Sequence, residues 1–357
     1  MLKILDKYIL KKFLGTFGLT ISLFILIAVV FDISEKIDDF DQFTLKEIIV
    51  DYYFAFIPWL YNLLTPLLVF IAVIFFTSKM ANSTEIIPIL TSGISFNRFL
   101  RPYFIGATIL FLLALVMSHF LIPISNVSKI EMEQKIYYHS RRVKTHNIHR
   151  EIEKNTYIYV NNYSKGSDNA FNFRLEKIID GKLTYRFFAS NLKWDHKRDL
   201  WIAKNWNERY IDGAKEVLSQ GSVKDTTFSF DYKEFHRTPY AVATMDFFDI
   251  QEYIAIEKAR GSEHIKMYEE ELIKRTSNPF SIFILVLIGV CISSKKVKGG
   301  TGMHIVKGIG LALVFVFLDK IANVFAVNTP ISTSVALWIP NILFSIVAVF
   351  IYRGAHK

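Results

Sequence analysis

Long apolar stretches dominate the chain, and they fall into two groups of three. Residues 13–31, 52–78, 102–128 and 276–294 contain no Asp, Glu, Lys or Arg at all. A fifth stretch, 304–327, carries the adjacent pair Asp319 and Lys320, and a sixth covers 334–352. A helix needs about 20 apolar residues to cross roughly 30 Å of hydrocarbon, so the pattern predicts six spans, at about 13–33, 52–78, 102–124, 276–294, 304–327 and 334–352. The first reads as a retained anchor, because it is long, is bounded by Asp32 and lacks a small-residue cleavage site.

The pattern changes between the third and fourth spans. "NTYIYVNNYS" alternates apolar and polar residues, and "FNFRLEKIIDGKLTYRFFASNLKW" holds two such runs around Asp180-Gly181. "DLWIAKNWNERYIDGAKEVL" repeats the device around Asp212-Gly213, and "TTFSFD" adds a further run. Period-2 runs separated by Asp-Gly turns are the signature of antiparallel strands. The expected fold is therefore membrane α + β: six transmembrane helices, three and three, around an inserted β-jelly-roll or sandwich domain. The expected division is 1–128, 129–275 and 276–357.

One short stretch fits neither class. "ANSTEIIPILTSGIS", residues 81–95, is too short to span and too apolar for a solvated loop. Asn82 and Glu85 have the spacing of a capping box, and Gly93 is placed to end a helix in a left-handed turn. A helix over about 82–93 is expected, with Pro88 bending its interior.

Charge then orients the spans. The N-terminal 12 residues, the 79–101 and 295–307 loops and the C-terminal tail hold thirteen Lys or Arg against two acids, Asp6 and Glu85. The flank from Asp32 to Asp51 holds seven acids and only Lys36 and Lys46. Basic loops stay on the cytoplasmic side, so both termini and the 81–95 segment are expected there and the β-domain outside. The net charge of +9 is spread over these flanks, which speaks against a nucleic-acid groove.

Catalytic chemistry is hard to find. "KKVKGGTGMH" has glycines but not the Lys-Ser/Thr of a phosphate-binding loop, so the chain is not expected to hydrolyse ATP itself. "HNIHREIEK" spaces His146 and His149 three apart, a weak metal signal that reads better as surface histidine. Cys291 is the single cysteine and lies inside the fourth span. No metal, cofactor or catalytic residue is expected. Asp319 and Lys320 within a span fit an interfacial pair whose lysine snorkels as well as they fit a substrate or helix contact. The acidic flank with Lys36, just beyond the first span, fits either a solvated loop or a contact with an anionic headgroup. The scarcity of intramembrane carboxylates disfavours a secondary transporter. A membrane-anchored scaffold is the alternative to a transporter subunit.

Five segments together resemble the LptF/LptG (YjgP/YjgQ) permeases. They are "LDKYILKKFLGTF", "STEIIPILTSGIS", "YEEELIKRTSNPFSIFILVLIGV", "GIGLALVFVFLDKIANVF" and "ALWIPNILF". The resemblance implies an inner-membrane, non-catalytic subunit of a lipopolysaccharide exporter. Its implied partners are a cytoplasmic ABC ATPase dimer, a paralogous six-span permease and a periplasmic jelly-roll bridge. It makes 82–93 the coupling helix, with Glu85, Ile86, Ile87, Leu90 and Gly93 facing the ATPase. Lys36 falls on a basic position that meets lipid phosphates, with Asp319 and Lys320 as further candidates. "LDKYI", "VFD" and "FLDKI" are more similar to the LptG branch than to LptF.

Overall fold

The computed structural model describes residues 3–355 except 42, 141–145, 165, 214, 233–234, 236–238, 260–261, 263 and 298–299. Two compact units result: Met1–Glu133 with Thr244–Phe247 and Lys266–Lys357, and Gln134–Ala243 with Phe248–Ile265.

The first unit is helical. Its elements are α1 (Ile4–Phe40), α2 (Phe54–Asn82), α3 (Ile86–Thr91), α4 (Phe96–Val116), the first part of α5 (Ile122–Ser140), α7 (Ile265–Ser293), α8 (Gly300–Asn328) and α9 (Thr333–Ala355). A π-helical stretch, Glu47–Tyr53, leads into α2, and another, Met117–Leu121, joins α4 to α5. Among the described residues, six continuous helices are long and apolar enough to cross a membrane: Ile4–Phe40, Glu47–Asn82, Phe96–Glu133, Ile265–Ser293, Thr301–Asn328 and Thr333–Ala355.

Lipid tails are as apolar as leucine, so burying apolar surface between spans gains little, and close packing must hold the helices together. Two glycines show how. A Cβ on Gly106 of α4 would lie 2.6 Å from the Phe13 ring of α1. One on Gly308 of α8 would lie 2.2 Å from Ile74 of α2. Each missing side chain is the space a bulky neighbour occupies. Around them α1, α2, α4 and α7 share one core that includes Phe13, Leu68, Val73, Phe99, Tyr103 and Val286. Phe70, Ile288, Phe315 and Phe344 bring α8 and α9 into a second.

The other unit is built on strands β1 (His146–Glu153), β2 (Thr156–Ser164), β3 (Asn169–Ile179), β4 (Lys182–Asp195), β5 (Leu200–Asp212) and β6 (Lys215–Thr226). They form one antiparallel sheet in the order of the sequence. Asp180 and Gly181 both take positive φ, 51° and 74°, as a two-residue hairpin turn requires. Alternate residues turn inward, among them Ile158, Val160, Phe173, Leu175, Phe187 and Trp201. The second layer over this face comes from the segment after β6, where Phe230 and Phe235 join the core and Phe228 packs beside them. The Trp201 indole N–H donates to the Phe230 carbonyl at 3.1 Å, so the one polar atom of that buried side chain is satisfied. Among the described residues of the strands, Tyr157, Phe171 and Tyr210 are the aromatic ones that stay exposed. Helix α6 (Phe247–Ala259) follows.

Candidate functional site

The 81–95 segment folds as a tight corner with a shorter helix than its spacing predicts. The apolar pattern of α2 runs on through Met80 and Ala81, both buried, so that helix continues to Asn82. Asn82 is thus the end of one helix and not the cap of the next, and its amide donates to Thr301 of α8 at 2.7 Å. Thr84, at φ 57°, breaks the run. Glu85 then holds the cap position of α3 with no capping hydrogen bond from its side chain. The expected capping box does not form.

The expected bend at Pro88 is absent for a related reason. In a helix that begins at Ile86, Pro88 is the third residue. The first four N–H groups of any helix lack an internal acceptor, so its missing donor costs nothing there. The carbonyl its ring would strike belongs to Thr84, outside the helix. Gly93 does end the segment as its position predicts: it takes φ 86°, and its N–H donates to the Leu90 carbonyl at 3.3 Å.

Burial divides the candidate residues of the segment. Ile86 is 2% exposed and lies in the shared core with Phe13, Met80, Phe96 and Phe99. Ile89 and Leu90 pack against the same core from its edge. Glu85, Ile87 and Gly93 are exposed, Ile87 at 56%. One isoleucine fastens the helix, and its neighbour in sequence is left open.

Contacts absent from the sequence reading brace this corner. The Tyr8 hydroxyl of α1 donates to Glu85 Oε2 at 3.1 Å. Arg98 of α4 donates twice to Asp6 of α1, both at 2.6 Å. Ser95 caps α4 by accepting from the Arg98 N–H at 3.3 Å. Arg98, read as one more orienting charge, is therefore neutralised by an acid of the same flank. The only hint of this was Asp6, an acid isolated among lysines.

A second cluster surrounds Lys36. Helix α1 continues beyond the apolar run to Phe40, so Lys36 stands on a helix and not in a loop. Its ammonium is 2.6 Å from Asp32 Oδ1, four residues earlier, and donates to the Tyr52 hydroxyl. Asp32 also accepts from the hydroxyls of Tyr52 and Tyr53, each at 3.1 Å. The ammonium lies 4.7 Å from the Tyr52 ring centroid and 5.9 Å from that of Phe56. Lys129 of α5 stands over Trp59 at 4.3 Å and over Phe56 at 6.0 Å, 3.6 Å from Glu133. Two cations thus share an aromatic wall, and two carboxylates partly compensate them. Lys129 was missed because nothing in a single sequence brings residue 129 beside residue 59; the aromatic density of "DYYFAFIPWL" was the available signal.

Asp319 and Lys320 do not join this cluster. Asp319 is half-buried, accepts from Asn323 at 3.3 Å and lies within reach of the Lys274 charge of α7, whereas Lys320 is exposed. His119, in the π-helical stretch, meets Thr276 at 3.2 Å and the edge of Phe247. The ring of His149 packs on Tyr159 with centroids 4.6 Å apart.

Sequence comparison bears on what these two clusters serve. A family profile described as lipopolysaccharide export system permease LptF/LptG matches residues 7–354. No curated protein matches the chain.

Proposed function

The chain belongs to the LptF/LptG family of lipopolysaccharide export permeases, and we propose that within it this protein is an LptG-type subunit driven through α3. The family and the six apolar helices make it a multi-pass protein of the inner membrane, a permease and not a catalytic subunit. In our reading both termini and α3 face the cytoplasm, and the six-stranded sheet stands in the periplasm. An ABC ATPase dimer receives α3 in a groove. A paralogous six-span permease completes the passage, and a periplasmic jelly-roll bridge accepts the lipid.

The observation that carries the coupling role is the split between Ile86 and Ile87. Glu85, Ile87 and Gly93 form the face offered to the ATPase, and Leu90 borders it. Ile86 is the rivet behind them, seated among side chains of α1, α2 and α4. Displacing α3 therefore displaces those helices with it, because a close-packed core passes on movement rather than absorbing it.

The substrate's phosphates are assigned to Lys36 and Lys129. Their ammonium groups already sit over aromatic rings with carboxylates and hydroxyls as placeholder acceptors. An incoming phosphate replaces those acceptors with stronger, charge-assisted bonds, and the apolar spans receive the acyl chains. Lys320, exposed on α8, is assigned to the same polyanionic substrate at a separate point, beside Asp319, which accepts from Asn323 of its own helix.

The test is release of lipopolysaccharide from vesicles containing the full exporter. Replacing residues 86–91 by a Gly-Ser segment is expected to abolish release and ATPase co-purification. Undiminished release overturns the reading.

A further inference from the structure

A groove of about 590 Å³ opens on the helical unit beside the α3 corner, lined by none of the side chains assigned a role above. That size falls within the roughly 300–1,000 Å³ typical of ligand pockets. Leu100, Phe104 and Ile105 of α4 and Leu287 of α7 form its apolar wall, and Arg101 stands at its rim with Asn97 and Tyr352.

The Tyr352 hydroxyl, the Asn97 side-chain oxygen and the Thr108 hydroxyl of this groove are bonded within the protein. The Tyr352 hydroxyl of α9 donates to the Asn97 side-chain oxygen. The Thr108 hydroxyl turns back to the Phe104 carbonyl at 2.9 Å, which leaves its methyl for the groove. One turn away, Arg98 is neutralised by Asp6. Arg101 is exposed and, among the described residues, has no hydrogen-bond or ion-pair partner. An uncompensated guanidinium therefore stands at the mouth of an apolar furrow.

Length identifies the class of occupant. The lining of α4 runs from Asn97 to Thr108 along one face, at Asn97, Arg101, Phe104 and Thr108. Of these, the seven residues from Arg101 to Thr108, at about 1.5 Å each, make roughly 10 Å below the guanidinium, inside one leaflet of the roughly 30 Å hydrocarbon core. A furrow confined to one leaflet, with a cation in the second turn of α4, matches a single lipid of that leaflet: acyl chain against Phe104 and Leu287, phosphate on the guanidinium.

We propose that the groove between α4, α7 and α9 binds an anionic glycerophospholipid, held by Arg101 at its headgroup, in the leaflet where α4 begins. Arg suits this role because its planar donors engage phosphate oxygens in pairs. The assignment depends on the spans crossing a bilayer, and not on the coupling or substrate roles assigned above. Under the topology proposed here the leaflet is the cytoplasmic one, so this lipid is bystander and not cargo.

The experiment is native mass spectrometry of the full-length protein in detergent, titrated with phosphatidylglycerol or with phosphatidylcholine of the same acyl chains. The wild type is expected to retain phosphatidylglycerol in preference to phosphatidylcholine. Arg101→Gln is expected to lose about tenfold in retention, the effect of one charge-assisted hydrogen bond, while Arg101→Lys, which keeps the charge but not the paired donors, is expected to fall between wild type and Arg101→Gln. Thr108→Trp fills the furrow and leaves the cation, and it too is expected to lose the lipid. Equal retention of the two lipids overturns the proposal, as does Arg101→Gln binding like wild type. Loss in Arg101→Gln with full binding in Thr108→Trp also overturns it, because that result describes surface charge attraction without a groove.

Discussion

Glu85 and Tyr8, 77 positions apart, meet at 3.1 Å, the carboxylate accepting the phenol's hydrogen bond at the foot of α1. The bond places Glu85 at the surface without giving it a part in capping α3. An acid that caps a helix and an acid that contacts a partner are hard to separate by mutation; here Glu85 makes no cap, so its replacement tests the contact alone.

Glu85→Ala is accordingly expected to leave the melting temperature of the purified subunit almost unchanged, within about 0.5 kcal/mol of stability, as exposed substitutions usually do. ATPase co-purification is expected to fall sharply. A drop in melting temperature matching a lost cap, about 1 kcal/mol, would contradict the assignment.

Ile86 and Ile87 are expected to behave oppositely. Ile86→Ala empties a buried site and is expected to cost roughly 2–5 kcal/mol, seen as early thermal aggregation before any partner is added. Ile87→Ala is expected to be thermally silent and to weaken ATPase binding. Should the two variants show the same profile, the division of α3 into a fastened and an offered face fails.

At the aromatic cluster, Lys36→Gln and Lys129→Gln are each expected to reduce photo-crosslinking to lipopolysaccharide. The double variant is expected to fall short of the sum, since groups that share rings and an electrostatic field couple non-additively. Trp59→Leu keeps both charges and removes part of the wall; it is expected to weaken crosslinking through Lys129 more than through Lys36, which has Tyr52 as its nearer ring. Strict additivity would mean that the two lysines serve separate sites.

The sheet carries a pH dependence of known sign. Burial pushes the Glu208 carboxyl up, but the Lys224 ammonium at 2.6 Å and the hydroxyls of Tyr185 and Tyr210 together outweigh it and hold the group below the ordinary carboxylate range. The unfolded chain therefore binds this proton at higher pH than the folded one. The stabilisation is complete above the unfolded value, about 4.3, and is lost as pH falls below it through the folded value. Tryptophan fluorescence of the full-length protein, followed from pH 6 to pH 3, is expected to show a transition that Glu208→Gln blunts. An unchanged acid limb in that variant refutes the assignment.

The parts of this fold that the sequence made legible are those governed by one-dimensional rules. Span lengths, the Asp180-Gly181 turn, the alternation of the strands and the left-handed Gly93 all follow from local pattern. Where local rules competed, the reading failed. The Asn82 and Glu85 spacing satisfied a capping box, but the apolar pattern of α2 claimed Asn82 first. Pro88 looked costly only because the start of its helix was placed too early. Lys36 was visible as a lone cation, whereas Lys129, Trp59 and Tyr52 became its company only through folding. Pairings such as Asp6 with Arg98 lie beyond any reading of charge tallies, because a tally counts charges and does not match them.

The order of the sheet has a consequence for how the protein is made. Every described strand pairs with its neighbour in sequence, and the turn after β3 has only two residues, so each new strand can zip onto the last with little loop entropy to overcome. The sheet can therefore assemble as the chain emerges, before the last three spans exist. Its aromatic face stays uncovered, however, until Phe228, Phe230 and Phe235 arrive. That leaves a short interval in biogenesis when Trp201 and Phe173 are open to solvent, closed by a segment made only a few dozen residues ahead of α7.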